Sequence, residues 1–160
     1  MEKFNHIELN NEVTKRGDNG FFKLEKDQEA IAEFLREVDY RTVKFSSEMK
    51  RLRYLVEENF YYNIFDKYIE DEIVECLELA KNFKFEFKSY MAASKFYKDY
   101  ALKTNDKKQY LENFNQHVFI VAMYLGDGNT ALAKELMIAM LEQRLQPATP
   151  TFLNSGRSRR

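Results

Sequence analysis

The chain has 160 residues, of which 44% are hydrophobic and 32% are charged, and this composition is sufficient to bury a core. Its net charge of -1 excludes a generally basic nucleic-acid coat, and its single cysteine excludes a disulfide scaffold or a cysteine-based zinc cluster. The single cysteine is also consistent with the reducing cytoplasm, which is where we expect the protein. No apolar run reaches the roughly 20 residues that cross a bilayer, so no membrane partner is expected.

The N-terminal region predicts a short β-hairpin. Its two arms, residues 12–16 and 21–24, flank the segment Gly17-Asp18-Asn19-Gly20. Glycine, asparagine and aspartate supply the positive φ angles that a tight reversal needs. Because an isolated hairpin is only marginally stable, we expect this one to pack on helices.

The region from residue 27 to about residue 144 predicts one helix after another. Only 5 glycines occur in the chain and both prolines lie beyond residue 146, which favours helices over a many-stranded sandwich. The first helix would begin at a capping Asp27. The predicted helices cover 27–38, a segment that follows Ser46 and Ser47, 71–81, 89–103, 110–125, and a last one from Asn129 or Thr130 to 143.

Apolar residues at helical spacing give each predicted helix a core face. Residues 118–125 are apolar on every side, so we expect their helix in the centre of the core. The other predicted core positions are Ala30, Ile31, Phe34, Leu35, Val38, Met49, Leu52, Leu55, Val56, Ile73, Cys76, Leu77 and Ala80.

Few side chains in the sequence are candidates for chemistry. Cys76 shares a helix face with apolar residues, which is typical of a buried structural thiol. His117 has no carboxylate at the i, i+4 spacing of a helical metal site, and His6, four residues after Glu2, lies outside the predicted helices, so no metal site is predicted. We interpret His117 as a helix-packing residue and His6 as solvent-facing. No catalytic residue is predicted in this chain.

The last fifteen residues differ from the rest. Pro147 and Pro150 remove backbone donors, and we therefore predict that residues 146–156 are extended rather than helical. The basic residues 157–160 follow without stacking aromatics, which argues against a nucleic-acid partner. We expect the polypeptide to continue beyond this point.

Several segments resemble one known family. Residues 146–157, QPATPTFLNSGR, are similar to the signature at the edge of the active-site barrel in the large subunit of class Ib ribonucleotide reductases. The segments at 96–106, 55–62 and 9–12 agree with the same family. The resemblance covers essentially the whole chain.

The resemblance implies a mainly α fold. The chain would be the helical N-terminal domain of the large (alpha) subunit, with a short N-terminal β-hairpin and an extended C-terminal segment that would enter an α/β barrel. Residues 1–45 would form a truncated ATP-cone-like cap, residues 46–145 the helical domain, and residues 146–160 the first segment of the catalytic barrel.

The resemblance also implies an activity and a set of partners. The family reduces ribonucleoside diphosphates to deoxyribonucleotides for DNA synthesis, through a radical supplied by a small subunit with a dimanganese or diiron centre. The implied partners are the remainder of the large subunit, the small radical-generating subunit, the ribonucleoside diphosphate, and a glutaredoxin-like or thioredoxin-like reductant. No cofactor is expected in this chain itself, and a nucleotide effector at the cap is left open.

One residue of the matched segment has an implied role. Thr149 corresponds to the family threonine that contacts the substrate phosphate, and a hydroxyl is a suitable donor for phosphate oxygens. Cys76 matches none of the family's reactive cysteines, so we expect the 160-residue chain alone to be inactive. The alternatives are a non-enzymatic helical interaction module that regulates a reductase, and a nucleotide-sensing module.

Overall fold

The computed structural model describes residues 20–158, with side chains from residue 26. Within this range there are helices and isolated β-bridges but no strands, which confirms the mainly α fold. The α-helices are α1 (Gly20–Tyr40), α2 (Glu48–Glu57), α3 (Glu70–Asn82), α4 (Tyr90–Lys95), α5 (Phe114–Gly126), α6 (Thr130–Leu141) and α7 (Thr149–Asn154). A 3-10 helix covers Ile64–Asp66, and a π-helix covers Phe96–Tyr100.

The chain divides into two compact units that alternate along the sequence. The described part of the first unit consists of residues 20–43 and 86–111, and that of the second consists of residues 44–85 and 112–158. The predicted division at residues 45 and 145 stays a prediction.

Aromatic contacts hold the first unit together. The ring of Phe34 in α1 meets Tyr90 and Tyr97 edge-on, with centroids 5.7 and 5.9 Å apart. Tyr97 also meets Tyr110 edge-on at 5.3 Å. Tyr110 pairs through its backbone with Thr42 and Lys103, so the loop that follows the π-helix is tied to the residues that follow α1.

The second unit is built around α5. Its residues 118–123 are completely buried, as the all-apolar sequence predicts, because α3 and α6 cover this helix. Tyr124 and Leu125 are 41% and 36% exposed, so the prediction of burial is wrong for the last two positions. Gly126 allows a close approach, since a Cβ there would lie 2.8 Å from the Tyr68 hydroxyl.

The predicted caps Ser47 and Asn129 are confirmed, and Ser89, predicted only as the first residue of its helix, is also a cap. The side chains of Ser47, Ser89 and Asn129 each accept a hydrogen bond from a backbone N–H in the first turn, at 3.0–3.2 Å. Cys76 is fully buried in α3 with Ile73, as predicted. The helix predicted over 89–103 ends earlier, because its second half is the π-helix that stops at Tyr100.

The N-terminal expectations need correction. Residues 21–24, the second arm of the predicted hairpin, lie in α1, and the first arm lies outside the described residues, as does His6. A short apolar run does not distinguish strand from helix, and the helix formers that follow it favour the helix. Asp27 therefore lies inside α1 rather than at its start. Its carboxylate accepts from the backbone N–H of Tyr90 at 3.2 Å.

The prediction that residues 146–156 are extended is wrong for Thr149–Asn154, which form α7. Proline is compatible with the first turn of a helix, because its missing N–H would have no intrahelical partner there. Pro150 occupies this first turn. Inspection of all helices in the described part of the chain finds none whose length and apolar content would allow it to span a bilayer.

Candidate functional site

The polar groups most deeply buried in the second unit surround Glu112. This residue lies two positions before the first residue of α5, and its side chain is 0% exposed. Four side chains from separate parts of the unit converge on its carboxylate. We call the five residues the Glu112 cluster, and they are Arg51, Tyr61, Glu112, His117 and Arg157.

The start of α5 explains how the sequence places Glu112 beside His117. The Asn113 side chain caps the helix by accepting from the N–H of Gln116 at 2.9 Å. In return, the Gln116 side chain accepts from the N–H of Asn113 at 2.8 Å. In such a capping box, the residue before the cap and the fourth helical residue are neighbours, a pair that is usually apolar. Here these two positions hold Glu112 and His117, whose Oε1 and Nδ1 atoms lie 2.5 Å apart.

Both arginines of the cluster reach the carboxylate. Arg157 Nη2 donates to Glu112 Oε1 at 2.6 Å, and Arg51 Nη2 lies 3.9 Å from Oε2. Tyr61 bridges Arg51 and Glu112, since its hydroxyl donates to Glu112 and accepts from Arg51 at 2.8 Å. Glu48 lies 3.8 Å from Arg51, so two carboxylates face the two guanidinium groups.

These contacts determine the ionisation of the two acidic groups. Burial by itself raises the pKa of Glu112, but Arg157, His117 and Arg51 outweigh burial, so the pKa lies well below its ordinary value. Burial is also the main cause of the raised pKa of Tyr61, and the Glu112 charge adds to it. Glu112 is therefore an anion and Tyr61 a neutral donor at neutral pH.

His117 connects the cluster to α7. Its Nε2 lies 2.6 Å from the backbone carbonyl oxygen of Phe152, and a carbonyl only accepts, so Nε2 carries a hydrogen. The imidazole also meets the Phe152 ring edge-on, with centroids 4.4 Å apart. The prediction of a packing role for His117 is confirmed, and the structure adds two hydrogen bonds to that role.

Backbone contacts hold the residues that follow α7. The N–H of Tyr62 donates to the carbonyl of Gly156 at 2.9 Å, and the N–H of Ser158 donates to the carbonyl of Phe60 at 3.0 Å. Gly156 has φ +81°, and a Cβ there would lie 2.7 Å from Ile120 Cγ1. A side chain at this position would therefore be strained by its backbone conformation and would also collide with α5.

Thr149, the predicted substrate-binding residue, lies at the start of α7, at the opposite end of residues 149–158 from these backbone contacts. Thr149 is the first residue of α7 and is exposed, whereas Phe152 in the same helix is the residue bound by His117. Cys76 lies in α3 and is not one of the cluster residues. Burial raises the pKa of its thiol, which is the opposite of what a reactive thiolate needs.

The arrangement has a clear chemical character. Four members of the Glu112 cluster are buried and the fifth, Arg157, exposes only 10% of its side chain, so the polar groups bind one another and the cluster fixes local structure. What it fixes is the segment from Thr149 to Ser158, which resembles the reductase signature.

Sequence reasoning missed four members of the Glu112 cluster. The sequence pattern places Arg157 in a basic end, and it gives no indication that Arg51, Tyr61 and Glu112 belong to a site. One local signal could have found the central pair, namely a capping box at Asn113 and Gln116 with a carboxylate and a histidine at its flanking positions. The contacts of Glu112 with Arg51, Tyr61 and Arg157 join residues more than forty positions apart, and no local pattern encodes them.

Comparison with known families agrees with the signature. A family model described as "Ribonucleotide reductase N-terminal" matches residues 6–85, and one described as "Ribonucleotide reductase, all-alpha domain" matches residues 86–160. Together they account for nearly the whole chain.

Relatives with curated descriptions match over the same length. The chain is 44% identical over 158 residues to the ribonucleoside-diphosphate reductase NrdEB subunit alpha of Bacillus subtilis, and 45% identical over 156 residues to a second subunit alpha of that bacterium. It is 38% identical over 157 residues to a subunit alpha of Mycoplasma pneumoniae. These alignments cover 96–98% of this chain but only 14%, 22% and 21% of the respective relatives. The chain therefore belongs to the ribonucleotide reductase family and corresponds to the N-terminal part of its large, or alpha, subunit.

Proposed function

We propose that the chain serves as the N-terminal part of a class Ib ribonucleoside-diphosphate reductase, which reduces ribonucleoside diphosphates to deoxyribonucleotides for DNA synthesis. The observation that carries this proposal is the identity of 44–45% with two reductase alpha subunits over almost the entire chain. The NrdEB name of the first relative supports the class Ib assignment.

The proposal includes the partners of the chain and the role of each part of the enzyme. The remainder of the alpha subunit would supply the barrel and the reactive cysteines, and the small subunit would supply the radical from its dimanganese or diiron centre. A glutaredoxin-like or thioredoxin-like protein would restore the cysteines. Residues 1–45 would form a truncated cap, residues 46–145 the helical domain, and residues 146–160 the approach to the barrel. A cytoplasmic location is part of this proposal.

The single thiol of the chain supports the need for a further part. Abstraction of a ribose hydrogen requires a sulfur that reaches the substrate, whereas Cys76 is 0% exposed and lies among apolar residues of α3. We therefore expect the 160-residue chain alone to produce no deoxyribonucleotide.

The proposal is tested with a completed alpha subunit. Residues 1–158 of this chain are joined to the corresponding remainder of the Bacillus subtilis alpha subunit and mixed with that enzyme's small subunit and a dithiol reductant. We expect this chimaera to convert ribonucleoside diphosphates to deoxyribonucleotides, and the 160-residue chain to give no product under the same conditions. A folded chimaera without reductase activity, or an active 160-residue chain, would contradict the proposal.

The role proposed for Thr149 is tested in the same chimaera. Thr149 is exposed, and its hydroxyl would donate to a phosphate oxygen of the substrate; a hydrogen bond to a charged group is worth about 1.5–3 kcal/mol. Thr149→Ala should therefore raise KM for the diphosphate about 10-fold to 100-fold. Thr149→Ser, which keeps the hydroxyl, should stay near the parent value. Thr151→Ala, two residues along the same helix, is the matched control, and equal effects at both positions would refute the role.

A further inference from the structure

We propose that Arg157 is a positioning residue, which acts through Glu112 and His117 to set the position of residues 149–158 and hence the direction of the Thr149 hydroxyl. This inference deepens the proposed function and rests on it, because Thr149 is the residue proposed to meet the substrate phosphate. Arg157 itself does not touch the substrate.

The segment is attached to the rest of the second unit at several points. The Phe152 carbonyl accepts from His117, the Gly156 carbonyl accepts from the Tyr62 N–H, and the Ser158 N–H donates to the Phe60 carbonyl. Arg157 lies between the last two backbone contacts and pairs with Tyr61 through an isolated antiparallel bridge. Its side chain and its backbone therefore fix the same register.

The side chain of Arg157 connects the backbone contacts at residues 156–158 with the contact between His117 and Phe152. Its Nη2 atom donates to Glu112 Oε1 at 2.6 Å, the same oxygen lies 2.5 Å from His117 Nδ1, and the opposite ring nitrogen of His117 donates to the Phe152 carbonyl. A single guanidinium group thus links the residues after α7 to the middle of α7. With 10% of the Arg157 side chain exposed and none of Glu112, solvent screens this contact little.

A charged contact is well suited to fixing a register. Apolar surfaces tolerate sliding, since their attraction is not directional, whereas the hydrogen bonds between a guanidinium group and a carboxylate require one geometry. A buried ion pair adds little net stability compared with apolar packing, so its role in this position is to specify one arrangement.

Thr149 follows the position of Phe152 because both belong to α7. Residues three apart in a helix lie on neighbouring turns of the same side, and the six residues of α7 make fewer than two turns. A displacement of Phe152 and of the residues after it is therefore transmitted to the Thr149 hydroxyl.

The experiment compares Arg157→Met, Arg157→Lys and the parent in the chimaera described above. We expect Arg157→Met to raise KM for the ribonucleoside diphosphate about 10-fold while kcat changes less than about threefold, because binding is disturbed and the reactive cysteines are not. Arg157→Lys keeps a charge near Glu112 and should recover part of the affinity. Arg144→Met, at an exposed arginine that pairs with Glu142, is the matched control and should behave as the parent.

A second measurement uses the 160-residue chain and needs no activity. The amide of Tyr62 donates to Gly156 in the segment, and the amide of Ser158, which belongs to the segment, donates to Phe60. The hydrogen-exchange rates of these two amides therefore report whether the segment is attached. We expect both amides to exchange at least about 10-fold faster in Arg157→Met than in the parent or in Arg144→Met.

The outcomes separate this inference from the proposed function. An inactive parent chimaera would overturn both. An active parent with an unchanged KM in Arg157→Met would overturn the positioning role alone, even if amide exchange became faster, because the contact would then only stabilise the fold. A loss confined to kcat would overturn it as well.

Discussion

Replacement of Glu112 with glutamine is expected to lower the free energy of unfolding of the 160-residue chain by about 3–5 kcal/mol at pH 7. Glutamine keeps the shape of the side chain but removes the charge that faces Arg157 and Arg51. The two guanidinium groups would then face a neutral side chain. Removing one partner of a buried ion pair is strongly destabilising because it leaves the remaining charge without compensation. Urea unfolding followed by circular dichroism measures the change.

The effect of this substitution should depend on pH in a defined direction. The folded pKa of Glu112 is lowered, so the folded chain binds fewer protons than the unfolded chain below the unfolded pKa of about 4.3. The contribution of Glu112 is therefore fully present above about pH 5 and is lost as the pH falls below that value. The difference between parent and Glu112→Gln should be smaller at pH 3 than at pH 7.

An exposed acidic residue supplies the control. Glu142 is 44% exposed and pairs with Arg144 at the surface, so Glu142→Gln should change stability by less than about 0.5 kcal/mol at either pH. If Glu112→Gln were as stable as this control at pH 7, or if its difference from the parent did not shrink in acid, the ionised and buried state assigned to Glu112 would be wrong.

Replacement of Phe119 with alanine is expected to cost about 3–5 kcal/mol of stability. Phe119 lies in the middle of α5 with 0% of its surface exposed, and it is one of the largest fully buried side chains in the described part of the chain. Its loss removes apolar burial and leaves a cavity, which the helices around α5 fill only in part. Urea unfolding again gives the value.

Leu125 in the same helix is the matched control for this core substitution. It is 36% exposed, so Leu125→Ala alters the same helix without opening an internal cavity and should cost less than about 1 kcal/mol. Similar losses at Phe119 and Leu125 would show that α5 does not have the central position described above. A loss below about 2 kcal/mol at Phe119 would contradict it directly.

The helices and their core faces could be predicted from the sequence because the signals are local. A cap such as Ser47 and the spacing of Ile73, Cys76 and Ala80 depend on residues within one or two turns. The same locality explains the errors. The short segment Phe21-Phe22-Lys23-Leu24 fits a strand or a helix, and Pro150 is incompatible with a helix interior but not with a first turn.

The candidate site was predicted only in part. Thr149 comes from the resemblance of its segment to the reductase signature, and its role stays a prediction. His117 could be recognised as a buried helix residue, but its partners could not, because Phe152 lies thirty-five residues away and the arginines lie on either side of α5 in the sequence.

By itself the sequence determined the family, the mainly α fold, the positions of most helices and the burial of Cys76, because each depends on short-range pattern or on a linear signature. Only the tertiary structure decided that Arg51, Tyr61 and Arg157 meet around Glu112. It also decided that residues 149–154 form a helix and that His117 contacts this helix at Phe152. The physical reason is that long-range ion pairs and helix packing depend on how distant segments come together, and the free energy of these contacts outweighs weak local preferences.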